Sequence, residues 1–439
     1  MNKFINPKGE ILLKLLTLLE PCKITILHSY KDFPENIASD VDVIGTNEAF
    51  QVLRKHSLDK NLHLVQYIHY EATSAACIFW DGKTKKNPSL LQLDLTTDVR
   101  GFGRIFYEGH ELLLRRQKYK NLLSVLPPEL EFSYYLLKKI GKKSLDPNHT
   151  HHLTELFHLA PHKCQIEIER FFSQKTVKKI IQAAETDSWE IIKNQLPDIY
   201  QDVLTSTAKR RPMNLIRFYV GEIYRLFNRI VLPTGLVVVF LGLDGSGKST
   251  VIKQVSEELH TVFHNRKLFH LRPSLKHRPN SQINTAPHAQ APHDTLSSCI
   301  KLIYWFLEYF LGWITQIYPA KIRKSIIAFD RYYHDLLIDP ARYRYGGPIW
   351  LAKIIEKLIP QPDLFIYLDL PAEAAIARKP EIALEDARLL RQKYLQLANS
   401  QGEKAHVVNA RQSLDDVIKD VEEIILRFME KRTLKRIKQ

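Results

Sequence analysis

The alternation of hydrophobic and polar positions changes its rhythm twice along the chain. Up to about residue 105, the runs KITILHSY, SDVDVIG, YEATSAACIFWD and SLLQLDL predict strands, and NEAFQVLRKH predicts a helix among them. From about Gly109 to Ile230 the period becomes helical, as in HELLLRRQKYKNLLSVL, LEFSYYLLKKIGKK and TVKKIIQAAETDSWEIIKNQL, with PP, DPN and Pro197 as punctuation. From Pro233 onward LVVVFLG, KLFHLRP, IIAFDRY, LFIYLDL and HVVNA alternate with helical segments. That alternation implies parallel strands joined by right-handed crossovers. The expected fold is therefore α/β: a small α+β domain over 1–105, a helical connector over 106–232, and a parallel sheet flanked by helices over 233–439. No internal repeat is present.

Four segments need separate reading. MNKFINPKGEILLKLLTLLEP predicts an amphipathic helix rather than a leader, because Lys14 interrupts the apolar run and no small-residue cleavage site follows. The polar, proline-rich stretch Pro273–Ser297 predicts a loop inside the last domain. Ile300–Tyr318 is about one bilayer span long, yet carries Lys301 and Glu308, which favours a docked helix over a transmembrane one. The helix around Leu215–Ile230 sets Arg217, Arg225 and Arg229 on one row and Tyr219, Ile223, Phe227 and Ile230 on another. Such a helix docks one domain on the next or lies on an anionic membrane, and peripheral membrane contact stays open.

Composition changes the picture in two places. The 439 residues carry a formal charge of +15, which favours acidic partners without choosing among nucleotides, nucleic acid and anionic lipid. No specific nucleic acid is expected, since the basic tail KRTLKRIKQ is too short for a binding arm. Cys22, Cys77, Cys164 and Cys299 lie far apart, which fits a reducing, cytoplasmic setting. The cluster of His151, His152, His158, His162 and Cys164 matches no zinc spacing and is read as surface histidines.

The strongest chemistry lies in FLGLDGSGKSTV, where G-x-x-x-x-G-K-S follows an apolar strand and opens a helix. Gly242, Gly245 and Gly247 let consecutive N–H groups face phosphate oxygens, and the helix adds its positive end. Within the loop from Gly242 through Asp244 and Ser246 to Thr250, Lys248 would reach the β- and γ-phosphates of ATP and the Ser249 hydroxyl would join Mg²⁺.

GLDGSGKST resembles the thymidylate kinase form of this loop, which has an acidic residue at the place of Asp244. FDRYYHD is similar to that family's D-R-Tyr/His motif, AIARKPE with RQKYLQLA to its arginine-bearing lid and following helix, and HVVNARQSLDDV to its last strand and turn. The resemblance spans about Leu236–Leu426. It implies a kinase using ATP and Mg²⁺, with Lys248, Asp330, Arg331 and Arg378 catalytic and Asp330 beside Ser249 at the cation. Phosphoryl transfer needs such positive groups around the migrating phosphoryl. The family's R-E-P-G-G-T segment is missing, since HLRPSLKHRPN keeps only Arg272 and Pro273. The usual acceptor residues are replaced by HDLLIDPARYRYGGP. Arg272, Tyr332, Arg342 and Arg344, with Asp244, are the candidate acceptor contacts. They suit a nucleotide or a related phosphorylated small molecule.

In the front domain Asp40 and Asp42 share one face of a strand at period two, and Asp94 stands on another strand. Three such carboxylates can hold a divalent metal. The pattern resembles the nucleotidyltransferase superfamily, with Ser29 at a suitable distance but His28 where that family has glycine. Three readings follow: a kinase with a nucleotidyltransferase-like front domain, a bifunctional protein that also transfers nucleotidyl groups, or a non-catalytic ATP-binding regulatory module. Acceptor and oligomeric state stay open.

Overall fold

The computed structural model describes residues 6–37, 40–56, 62–83, 88–101, 103–120, 123–210, 213–273 and 290–438. Most of the polar loop expected over Pro273–Ser297, residues 274–289, lies outside them. The chain forms two compact units: Met1–Gly82 with Ser89–Asn228 and Glu430–Gln439, and Lys83–Pro88 with Arg229–Met429. The helical stretch expected as a separate connector over 106–232 thus falls, up to Asn228, in the same unit as the front sheet.

The first unit holds β1 (Thr25–Ile26), β2 (Val41–Ile44), β3 (His63–Glu71), β4 (Ser74–Trp80), β5 (Leu90–Thr96), β6 (Asp98–Gly101), β7 (Arg104–Glu108), β8 (Gln117–Tyr119) and β9 (Leu123–Val125). Seven of them form a mixed sheet in the order β3-β4-β5-β2-β1-β9-β8, with β6 and β7 as a separate hairpin. The helix Pro7–Leu19 starts on an Asn6 cap that accepts from Gly9 N, and it buries Ile11, Leu12, Leu15 and Leu19 in the core above the sheet. A second core, built from the helices between Pro128 and Arg210, gathers Leu130, Phe132, Leu136, Phe157, Ile168 and Ile180.

Two local expectations change. KITILHSY supplies only two strand residues before Ser29 turns at φ 59°. HELLLRRQKYKNLLSVL is helical only over Gly109–Leu114; β8 and β9 follow because β9 pairs parallel with β1 at Ile26↔Val125. Pairing at the sheet overrides local helix propensity there.

The second unit is a parallel sheet of β10 (Leu236–Leu241), β11 (Asn265–His270), β12 (Ser325–Asp330), β13 (Leu364–Asp369) and β14 (Ala405–Asn409), ordered β11-β12-β10-β13-β14. The central β10, LVVVFL, is buried throughout, as a strand covered on both faces must be. Its register Phe240↔Asp330 brings the carboxyl end of β12 beside the start of the phosphate loop. The apolar run from Ile300 belongs to the helix Thr295–Gly312 and a π-helical turn over Trp313–Ile317. Among the described residues no helix is long and apolar enough to cross a membrane.

Candidate active site

The phosphate loop leaves β10 and enters the helix Lys248–Glu258, whose first turn no side chain caps. Those open N–H groups are an anion site by construction. Gly242, Gly245 and Gly247 all have positive φ. Gly245 must also be small: a Cβ there would lie 3.1 Å from Ala375 O and 3.2 Å from Arg378 Cβ, where the helix Ala372–Arg378 comes down on the loop. Arg378 donates to Gly245 O at 3.2 Å.

Lys248 is 6% exposed and donates to the carbonyls of Gly242 and Leu243, both at 2.9 Å. Burial, then the nearby charge of Arg331, push its ammonium down to about 8, against the pull of Asp330 and Asp244. Ser249 Oγ donates to Asp330 Oδ2 at 2.8 Å, while Asp330 Oδ1 is buried and has no hydrogen-bond partner among the described residues. Ser246 Oγ is likewise buried with no partner among the described residues. A divalent cation beside Ser249 and Asp330 fits that orphaned carboxylate oxygen. Thr250 is exposed on the first helical turn.

Asp244 stands at the mouth of the loop and takes two guanidinium groups, Arg331 Nη2 on Oδ1 and Arg342 Nη1 on Oδ2, each at 2.5 Å. Burial pushes the Asp244 carboxyl up, but Arg331 and Arg342 outweigh it and hold the group well below the usual range. Arg331 is itself buried, at φ 74°, a left-handed conformation that costs a side-chain-bearing residue roughly 1 kcal/mol. Its other nitrogen, Nη1, donates to Asp335 Oδ2 at 2.6 Å. Asp335 is fully buried and also accepts from Tyr343, at 2.7 Å, and from Tyr394. A small cavity of about 20 Å³ lies among Asp244, Arg331, Arg342 and Tyr394.

Three residues expected as acceptor contacts are engaged by other parts of the protein. Tyr332 is fully buried with its hydroxyl on Pro360 O at 2.7 Å, because it packs inward against Phe329 and Tyr309. Arg272 is paired with Glu308 at 2.5 Å and stacks 4.6 Å over Trp305, held by the helix Thr295–Gly312. Arg344 turns away to Ala291 O and Gln290 Oε1, both at 2.9 Å. Of the Arg-Tyr stretch only Arg342 reaches Asp244, while Tyr343 is spent on Asp335. Sequence reasoning missed Asp335 and Tyr394; the i,i+4 spacing of Arg331 and Asp335 was the available signal.

In the first unit β2 and β5 run parallel with Asp42 opposite Asp94. Gln92 Nε2 donates to Asp40 at 3.1 Å and to Asp94 at 2.9 Å, so the three carboxylates gather at one cavity of about 550 Å³. Burial and the charge of Asp42 push Asp94 up to about 7. Burial acts on Asp42 too, but the His28 bond and the Lys138 ammonium hold it well below the usual range. Lys138 donates to both Asp42 oxygens at 2.9 Å, and His28 Nε2 lies 3.0 Å from Oδ2. The metal expected on Asp40, Asp42 and Asp94 does not fit this arrangement. The lysine ammonium already occupies Asp42, and among the described residues no three acidic, histidine or cysteine side chains are placed to hold a metal ion. In the histidine-rich segment His152 pairs with Glu131 at 3.0 Å.

Residues 240–421 match the family model described as Thymidylate kinase. A probable thymidylate kinase of Sulfolobus acidocaldarius is 29% identical over 202 residues, which are 44% of this chain and 97% of that protein. Probable thymidylate kinase 1 of Saccharolobus solfataricus is 26% identical over 208 residues, 43% of this chain and 96% of its own. The thymidylate kinase of Limosilactobacillus reuteri is 25% identical over 204 residues, 44% and 95% respectively. A crystal structure of thymidylate kinase from Ehrlichia chaffeensis aligns with a TM-score of 0.32 at 18% identity, covering 43% of this chain and 97% of that one. Residues 240–421 of the second unit thus form a thymidylate kinase-like domain built around the P-loop.

Proposed function

We propose that the second unit transfers the γ-phosphoryl group of ATP to an acceptor that already carries a phosphate, a nucleoside monophosphate or a related phosphorylated metabolite. The observation that carries this reading is the convergence of Arg331 and Arg342 on one carboxylate, Asp244, beside the loop. Two guanidinium groups sharing a carboxylate can exchange it for a phosphate of similar shape and greater charge. In this reading Lys248 grips the β- and γ-phosphates, Ser249 and Asp330 hold the cation's water shell, and Arg378 follows the transferred group from the lid side. Arg331 and Arg342 take the acceptor phosphate, which attacks the γ-phosphorus as ADP leaves. The four free cysteines, three of them buried, support a cytoplasmic setting.

The test is a phosphoryl-transfer screen with Mg²⁺-ATP across nucleoside monophosphates and sugar phosphates. Thymidylate, for which the similar kinases are named, comes first. At least one acceptor should be used by the wild type and lost in Arg331→Ala. Tight ATP binding with no acceptor above background hydrolysis would restore the non-catalytic reading.

A second reading, nucleotide binding by the first unit, is favoured by one observation: Lys138 and Lys139 line the same cavity of about 550 Å³ as Asp42 and Asp94. Nucleotide binding by a Lys248→Ala chain, lost in Lys248→Ala/Asp94→Asn, would support it. No binding by the first of these would remove it.

A further inference from the structure

The helix Met213–Val231 is mounted with its polar side inward and its apolar side outward. Its covered arc carries Gly221, Glu222 and Arg225. Gly221 sits so close to the turn between β3 and β4 that a Cβ would lie 2.6 Å from Ala72 Cβ, and Glu222 pairs with Arg225 at 2.8 Å. The opposite arc carries Ile216, Tyr219, Val220, Ile223, Tyr224 and Phe227, and every one is more than half exposed, Ile223 at 69%. Amphipathic helices in globular units point the other way, because water does not reward an apolar face. A stripe of this length is larger than the scattered apolar residues of an ordinary surface and calls for a covering partner.

We infer that this face is a membrane-docking surface that lies in the headgroup region of an anionic bilayer. Charge decides for a lipid surface. From Lys209 to Val231 the sequence has six basic residues and one acidic, Glu222, and that one is turned inward onto Arg225. The outward arc therefore carries no acidic residue to repel phosphate headgroups, and exposed Arg217 borders it. Two tyrosines and a phenylalanine on the arc suit the boundary between headgroups and acyl chains. The whole chain, at +15, is drawn to the same surface. No described helix can span a bilayer, so attachment would be in the plane and reversible.

The experiment is co-sedimentation of the full chain with vesicles of phosphatidylcholine mixed with phosphatidylserine, and with vesicles of phosphatidylcholine alone. The wild type should pellet with the mixed vesicles, less so in high salt, and should stay in solution with phosphatidylcholine. Ile223→Asp/Phe227→Asp, at two exposed positions, should keep the wild-type melting curve and lose about tenfold or more in vesicle partitioning. Unchanged partitioning in that variant would overturn the proposal, since charge elsewhere would then suffice. So would no binding by the wild type, or a wild-type dimer that the same variant splits, which would give the face to a second copy of the chain.

Discussion

Arg331 and Asp244 form an ion pair at 2.5 Å across the mouth of the phosphate loop, and the arginine is anchored from behind by Asp335. The two carboxylates are not equivalent. Asp335 is sealed in the core, whereas Asp244 borders the small cavity beside the loop. Arg331 can thus change its front partner without losing its rear one.

Arg342 has the same front partner but lies less deeply, and it also stands 3.7 Å from Glu381. Arg342→Ala should raise the acceptor KM by on the order of tenfold, with kcat and ATP affinity nearly unchanged, the signature of lost ground-state binding. Steady-state kinetics with the acceptor found by the screen, and calorimetry with ATP, would check it. An unchanged KM would take Arg342 out of the acceptor site.

The rear anchor is a stability element. Asp335→Ala leaves the buried Arg331 charge without its core partner and two tyrosine hydroxyls without an acceptor, so it should cost about 3–5 kcal/mol. Asp335→Asn keeps the shape and one acceptor oxygen and should cost less. Urea unfolding of the three proteins decides, and a loss below about 1 kcal/mol in Asp335→Ala would contradict the picture.

Lys248 gives ATP binding a pH dependence. Its ammonium, ordinarily near 10.5, is pushed down to about 8 in the ligand-free loop by burial and by Arg331. Above that value the free protein holds a neutral amine, and polyphosphate binding must draw a proton onto it. ATP affinity should therefore fall as pH rises through 8, by up to about tenfold per unit, with proton uptake growing. Calorimetry near pH 9 in two buffers of different ionisation enthalpy measures that uptake, and a value of zero would refute it.

Glu422, buried in the terminal helix Leu414–Lys438, is pushed up from 4.5 to about 8 by burial and by neighbouring Glu258. The folded protein therefore holds a proton that the unfolded chain releases near 4.5. That contribution to stability is full below 4.5 and is lost as pH rises through 8. Glu422→Gln should gain in Tm over the wild type, and by more at about pH 9 than at about pH 5. Equal differences in thermal melts at the two values would count against it.

The phosphate loop and all five strands of the second unit were readable because each is a local signal. LVVVFL can only be a strand covered on both faces, and the glycine spacing after it has one use. The surroundings of Arg331 were not readable in the same way. Tyr394 joins Asp335 from 59 residues away, and Glu308 captures Arg272 from a helix beyond the polar loop. Tyr332 directly follows Arg331, and nothing in that order says which of the two turns inward. In the front domain Asp40 and Asp42 were found by strand period and Asp94 by its place on a second strand, but Lys138, which pairs with Asp42, comes from a helix whose register no pattern reveals.

The terminal helix has one more consequence. Its residues up to Met429 belong to the second unit, but from Glu430 onward they complete the first, where Glu430 bonds His63 at 2.8 Å and Thr433 donates to Val65 O. The first unit is thus discontinuous along the chain, and residues beyond Met429 pack on a strand far earlier in the sequence, the separation being 367 positions for Glu430 and His63. Expressing residues 233–439 alone would carry away a piece of the partner unit, and expressing residues 1–232 would leave β3 without its last contacts. A pair of separately made halves should be judged by whether they reassemble, since neither cut follows a seam in the molecule.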